Sequence, residues 1–180
     1  MKRLFSLFIF LAAFAPAARA GVFVEPWVGY ATGKFEHTVT VGSTVFQRID
    51  QNMSGMGYGV RGGWRFMALA VGAEYQAGSI NFKGGGGVEP KDLGAHLGLY
   101  FLGGIRAWGT YFFKAKTGSI EGTAVKGGLG YLFLRHVSLN VEYIKYKYNK
   151  ITLAQFAGTS VGYSGSASAL IFSLSTPFSL

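Results

Sequence analysis

The sequence predicts an all-β fold: eight antiparallel strands in up-and-down order, closed into a barrel that spans a membrane. Three observations predict it. Apolar and polar residues alternate with a period of two along most of the chain, and successive side chains of a strand leave on opposite faces. No segment after the first twenty residues approaches the ~18 apolar residues of a spanning helix, although 49% of the chain is hydrophobic and 16% aromatic. The connections alternate between long and short, as in barrels with short periplasmic turns and longer extracellular loops.

Residues 1–20 read as a cleaved secretory signal. Lys2 and Arg3 give a basic start, Leu4 to Ala15 an apolar run, and Ala18-Arg19-Ala20 a small-x-small cleavage site. That run is too short to cross ~30 Å of hydrocarbon as a helix. Residues 21–180 are then one exported domain. Cysteine is absent, so disulfides do not hold the fold although the exported compartment would permit them. The formal charge is +9, but Lys2, Arg3 and Arg19 leave with the signal. The remaining basic residues are mostly spread singly, with Lys145, Lys147 and Lys150 the tightest group. Nucleic-acid binding needs a clustered basic face, so no nucleic acid partner is expected. Attraction to anionic lipid head groups is the expected use of the surplus.

The first strand is Gly21 to Tyr30, with Glu25 and Trp27 on one row and Val22, Val24 and Val28 on the other. Pro26 lacks a ladder donor, which predicts a bulge or unpaired position. A long loop, Ala31 to Ser54, follows, with a small hairpin around Gly42-Ser43. The second strand, Gly55 to Arg65, puts Met56, Tyr58, Val60 and Trp64 opposite a row of glycines with Arg61. Those glycines make room in a narrow lumen for long neighbours. After a tight connection near Phe66, the third strand runs Met67 to Gly78 with Glu74 on its polar row. A loop from Ser79 to Pro90 leads to the fourth, Lys91 to Phe101, and a Leu102-Gly103-Gly104 turn to the fifth, Ile105 to Ala115. A loop at Lys116 to Gly122 leads to the sixth, Thr123 to Phe133, and a turn at Leu134 to His136 to the seventh. A last loop, Asn149 to Tyr163, precedes the eighth.

The seventh strand, Val137 to Tyr148, changes phase. Val137, Leu139, Val141 and Tyr143 form its first apolar row; Ile144, Tyr146 and Tyr148 form the second, displaced by one residue. A β-bulge at Tyr143-Ile144 would bring both to one face. It would also give the strand the ~9–11 residues that a tilted membrane strand needs. The other reading ends the strand near Tyr143.

With these patterns the chain resembles the OmpA/OmpX-type family of small outer-membrane β-barrels. The resemblance rests on VEPWVGY in the first strand, MGYGVRGG in the second, LNVEYIKYKY in the seventh and the alternating terminal strand. It implies residence in the cell outer membrane as a monomer, and a last strand read by the assembly machinery. Members of the family usually end in an aromatic residue. Here the chain ends Phe178-Ser179-Leu180.

The candidate site is the polar lumen row: Glu25, Arg61, Glu74, Arg106, Lys114, Lys126 and Glu142. Charges in a dry barrel must be paired, so these are expected to form a ladder that fills the lumen. A second reading makes the ladder an ion path. An aromatic girdle is expected at each interface: Tyr30, Tyr58, Tyr75, Tyr111, Phe113, Tyr146 and Tyr148 outside; Trp64, Phe101, Phe133 and Phe178 inside. Partners would be the lipid bilayer and lipopolysaccharide, the latter met by the loop carrying Lys34, Phe46 and Arg48. No cofactor, metal site or catalytic group is expected. His37 and His96 lack metal-ligand companions, and Gly57 to Gly62 match a dinucleotide fingerprint by letter but inside a strand with no helix following. His136, Ser138 and Glu142 resemble the residues of lipid A deacylases, yet Ser138 and Glu142 share the lumen row, away from any lipid. A lipocalin-like soluble carrier is the remaining alternative, and it would turn the Val/Leu/Tyr rows inward.

Overall fold

The computed structural model describes residues 21–41, 44–134, 136–151 and 161–179. The expected signal, residues 1–20, and Leu180 lie outside them. Eight long strands make the barrel: β1 (Gly21–Val41), β2 (Thr44–Phe66), β3 (Leu69–Phe82), β4 (Pro90–Tyr100), β5 (Ile105–Thr117), β6 (Ile120–Leu134), β7 (Val137–Ile151) and β8 (Val161–Ser175). Each pairs antiparallel with the next, and β8 pairs with β1 from Trp27–Ser175 to Val41–Val161, which closes the barrel. Two-residue strands at Gly87–Val88 and Phe178–Ser179 extend the sheet beside β3 and β1.

The closing seam explains Pro26. It stays in register with Val60 on β2. On its other side the pairing of β1 is interrupted between Val24–Phe178 and Trp27–Ser175. The gap falls at Thr176 and Pro177, where the Thr176 amide donates to the Pro26 carbonyl at 3.0 Å. The two prolines, neither with an N–H to give, share one gap in the ladder.

Near the end where β1 begins, the expected periplasmic end, the connections are tight. Gly103 (φ 76°) and Gly104 (φ 82°) take left-handed backbone in the β4–β5 turn, which a residue with a Cβ rarely adopts. At the far end the structure differs from expectation. The described residues of the segment assigned to a loop from Ala31 to Ser54 are strand: β1 and β2 pair from Gly21–Arg65 to Val41–Thr44, and Gly42-Ser43, where a small hairpin is expected, lies outside the described residues. The segment assigned to Ser79–Pro90 is partly strand, and that assigned to Lys116–Gly122 is strand but for a turn at Gly118 and Ser119. Length read as loop is taken up by a barrel that continues past its apolar belt.

The continuation has its own inside and outside. Along the belt, Val28, Tyr58, Val71, Leu97, Leu129 and Val141 face outward and exposed, while Glu25, Arg61, Glu74 and Glu142 are buried within. Beyond it the pattern inverts. Phe35, Met53, Phe112, Ile144, Tyr146 and Tyr148 pack together inside, and Lys34, Asp50, Lys116, Lys145 and Lys147 are exposed outside.

This inversion corrects the reading of the seventh strand. No bulge interrupts β7 at Tyr143-Ile144: pairing with β8 is continuous from Ser138–Ser175 to Tyr148–Gly165, and burial alternates without a break from Ser138 to Asn149. The strand keeps its phase while the medium around it changes. Tyr146 and Tyr148 therefore leave the expected outer girdle and stack on each other inside the barrel, ring centroids 5.5 Å apart. A bulge does exist, in β5. The register with β6 shifts between Phe112 and Ala115, so that Phe113 and Lys114 both face outward. The other aromatics expected in the girdles, Tyr30, Tyr58, Tyr75, Tyr111, Phe113, Trp64, Phe101, Phe133 and Phe178, are exposed on the exterior.

The native chain has no cysteine, so single replacements report the phase directly. In the folded protein, Lys147→Cys reacts with a water-soluble maleimide and Tyr148→Cys does not. A labelled Tyr148→Cys beside an unlabelled Lys147→Cys would restore the bulge.

Candidate functional site

The lumen of the belt is filled by polar side chains from all eight strands. Register brings the first three together. Glu25 lies opposite Arg61, and Arg61 opposite Glu74, so adjacent strands place a cation between two carboxylates at one height. Arg61 Nη1 donates to Glu25 Oε1 at 3.0 Å, Nε to Glu74 Oε1 at 3.1 Å, and Nη2 to Glu142 Oε2 across the barrel at 2.7 Å. Arg106 grips Glu25 with both terminal nitrogens, each at 2.6 Å, and Nη2 also reaches Asn140 Oδ1 and Ser175 Oγ. Lys126 bonds Glu74 Oε1, Glu142 Oε2 at 3.1 Å and Gln76 Oε1 at 2.8 Å. Three carboxylates thus meet three cations, all six at most 3% exposed. Paired, charge-assisted contacts of this kind are what make such burial tolerable.

Aromatic rings complete the packing. The Arg61 guanidinium lies between Trp108, 4.6 Å from the ring centroid, and Trp27 at 5.6 Å. Lys126 Nζ sits 4.6 Å from the Trp27 ring centroid, and the Arg106 guanidinium 5.0 Å from that of Trp108. Trp27 Nε1 also donates to Glu74 Oε1 at 3.1 Å. The glycine rows supply the space. A Cβ on Gly59 would stand 2.8 Å from Trp27 Nε1, and one on Gly128 2.6 Å from the Trp108 ring. The room therefore goes to two indoles as much as to long charged chains.

Neutral polar groups bound the ion cluster. Thr110 Oγ1 donates to Glu74 Oε2 at 2.6 Å, and Ser173 Oγ to Glu142 Oε1 at 2.6 Å. Toward the inverted zone, Asp92 Oδ2 accepts from Gln76 Nε2 at 2.7 Å and from the Tyr146 hydroxyl at 2.9 Å. A void of about 40 Å³ adjoins Asp92, Gln76, Tyr146 and Trp27; it has room for about one water. At the opposite end a vestibule of about 570 Å³, lined by Arg65, Tyr100, Arg106 and Pro177, opens below the cluster.

Of the lumen residues read from sequence, the structure brings together Glu25, Arg61, Glu74, Arg106, Lys126 and Glu142. Lys114 is the exception: the β5 bulge turns it to the exterior, and its place on the inner row passes to Ala115. Asp92 and His96 fall within the predicted fourth strand, and neither was assigned to the lumen network. Trp27 shares the row of Glu25 in the first strand and Trp108 falls within the fifth, but nothing in their spacing marked them as seats for cations. Tyr146 was missed as a lumen group because its phase was read through the supposed bulge.

The residues resembling a hydrolase are not assembled. Ser138 Oγ donates to Asn140 Oδ1 at 2.9 Å, Glu142 belongs to the ion cluster, and His136 is exposed with its ring stacked on Phe178 at 6.3 Å. No group of His, Asp or Glu able to hold a metal occurs among the described residues. The soluble-carrier reading is overturned by the exposed Leu97, Leu139, Val141 and Tyr143 and the buried Arg61 and Glu142.

No protein-family model matches the chain, and no curated protein resembles it in sequence. Solved structures resemble it in shape. Neisserial surface protein A superposes with a TM-score of 0.50 at 12% identity, over 89% of this chain and 100% of that one. Two others match more loosely. For outer membrane protein OprG of Pseudomonas aeruginosa the TM-score is 0.43 at 13% identity, over 89% and 97% of the two chains. For the outer membrane protease OmpT of Escherichia coli it is 0.44 at 11% identity, over 88% and 97%. The chain thus has the fold of small outer-membrane β-barrels: eight antiparallel strands, closed, with an apolar exterior belt and a polar interior.

Proposed function

We propose that this protein resides in the outer membrane as a monomeric, non-catalytic barrel with a closed lumen, and that it acts through the surface it raises above the membrane. The observation that carries the reading is the mutual pairing of Glu25, Glu74 and Glu142 with Arg61, Arg106 and Lys126 inside the belt, beneath an exterior as apolar as Leu129 and Val141. The exterior suits acyl chains, and an eight-stranded interior is just wide enough for its own side chains. Two plugs lie in series: the ion cluster, and above it the packed rings of Phe35, Phe112, Tyr146 and Tyr148. An ion crossing the lumen would have to part both. The alternative of a narrow conducting pore asks these pairs to exchange, and Arg61, held by three carboxylates and two indoles, is poorly placed to do so.

Purified protein in a planar bilayer is expected to show no steady conductance; a stable open level would overturn the closed-lumen reading. The cluster should also dominate stability. Arg61→Met leaves three buried carboxylates to two cations, Arg106 and Lys126, and is expected to cost about 3–5 kcal/mol, the usual penalty for removing one partner of a buried ion pair. Urea unfolding of the protein in lipid vesicles measures it, with Lys145→Gln as a surface control that changes little.

A further inference from the structure

Above the belt the exterior is unevenly charged. Lys91, Lys114, Lys116, Lys145 and Lys147 are exposed on β4, β5 and β7, and the exposed acids beside them are Glu121 on β6 and Glu89 just before β4. At the same end, β1, β2 and the turn after β3 expose Glu36 and Asp50 against Lys34 and Lys83.

Two features of the basic wall are unfavourable for the barrel alone. Lys91 and Lys116 are direct cross-strand partners, and like charges opposite one another destabilise a sheet. Lys114 is turned outward by a bulge beside them, and bulges re-aim side chains in this way. Glu121 relieves Lys116 only in part, at 3.6 Å with both side chains about half exposed.

The belt below adds an independent observation. An apolar concavity of about 860 Å³ runs over the lipid-facing surface from β6 across β7 and β8 to β1, and Leu129, Leu139, Val141, Phe172 and Val28 are among its walls. On β7 the outward row climbs from Leu139 and Val141 through Tyr143 to Lys145 and Lys147. At ~3.3 Å per residue, Lys145 stands roughly 13 Å beyond Val141 along the strand. An amphiphile with an anionic head and several acyl chains matches this succession of charge, aromatic ring and apolar trough.

We propose that the wall of β4 to β7 is a docking site for one phosphorylated, multiply acylated glycolipid of the outer leaflet. Its phosphates lie among Lys91, Lys114, Lys116, Lys145 and Lys147, and acyl chains enter the trough beneath β7. The site rests on the orientation proposed above and places contact with lipopolysaccharide on the strand wall rather than on the loop expected from sequence.

The test uses the refolded protein in neutral detergent, probed by native mass spectrometry with diphosphorylated lipid A. One lipid is expected to remain bound. Its affinity is expected to fall at least tenfold in Lys145→Gln/Lys147→Gln and to hold in Lys34→Gln. In Lys91→Gln/Lys116→Gln the lipid-free barrel should melt higher and lose most of its lipid-induced rise in melting temperature. Equal retention by the β7 double variant, an equal loss in Lys34→Gln, or equal binding of phosphatidylglycerol or inorganic phosphate would each overturn the site. Heat-shifted electrophoretic mobility separates this outcome from failure of the barrel reading. A correctly folded barrel that ignores lipid A removes the site alone, whereas a chain that never inserts into vesicles removes both.

Discussion

Arg61 is the group on which the belt depends. An ion in a water-poor lumen costs several kcal/mol unless paired, and an eight-stranded barrel has no spare width for water to do the pairing. The chain answers with carboxylates from β1, β3 and β7 and an indole on either side. Other choices follow from that. Trp27 and Trp108 fill space that Gly59 and Gly128 must leave open. Glu25, shared with Arg106, and Glu74, shared with Lys126, carry the network to β5 and β6. Because one cluster ties strands far apart in sequence, the barrel is locked across its diameter as well as around its circumference.

Beyond the belt the same strands meet a different medium. Where lipid gives way to water, an outward lysine no longer needs a partner, and an inward charge no longer has the cluster to pair with. The favourable arrangement is then that of a soluble barrel: rings inside, charges outside. Asp92 and Gln76 sit at the junction, bonded to Tyr146 of the apolar plug on one side and, through Gln76, to Lys126 of the ion cluster on the other. The lumen is therefore continuous in packing although it changes character, and each plug braces the other.

The fold was legible because period is a local property. Alternation from Leu93 to Phe101 or from Leu139 to Tyr143 identifies a strand whatever surrounds it. The ion cluster was legible for the same reason, since six of its members stand on the polar rows of predicted strands. What was not legible depends on height. Tyr146 and Tyr148 are aromatic, and an aromatic near a strand end suggests an interface; only their level above the belt sends them inside. Lys114 was lost to a bulge between two phenylalanines and a lysine, a place where no glycine or proline advertises irregularity. The long outer segments were read as loops because their alternation is polar outside and apolar inside, the reverse of the belt.

β5 and β7 show why a break in alternation has two meanings. In β5, Phe113 and Lys114 are neighbours on one side, so the backbone itself has slipped. In β7, each residue from Ser138 to Asn149 changes sides, and only the chemistry assigned to each side is exchanged. Pairing separates the two cases. Lys145 lies opposite Val125 and Lys147 opposite Thr123, with the register to β6 unbroken there. Lys91 lies opposite Lys116 and Lys116 opposite Glu121, so the outward rows of β4, β5 and β6 turn charged together, which a bulge in one strand does not explain. A shared transition of that kind marks the edge of the lipid. Above it the described strands continue as a paired ladder. The proposed recognition at this end would then depend on side chains whose spacing is fixed by a β-sheet ladder, which holds charges at set distances in a way that an open loop does not.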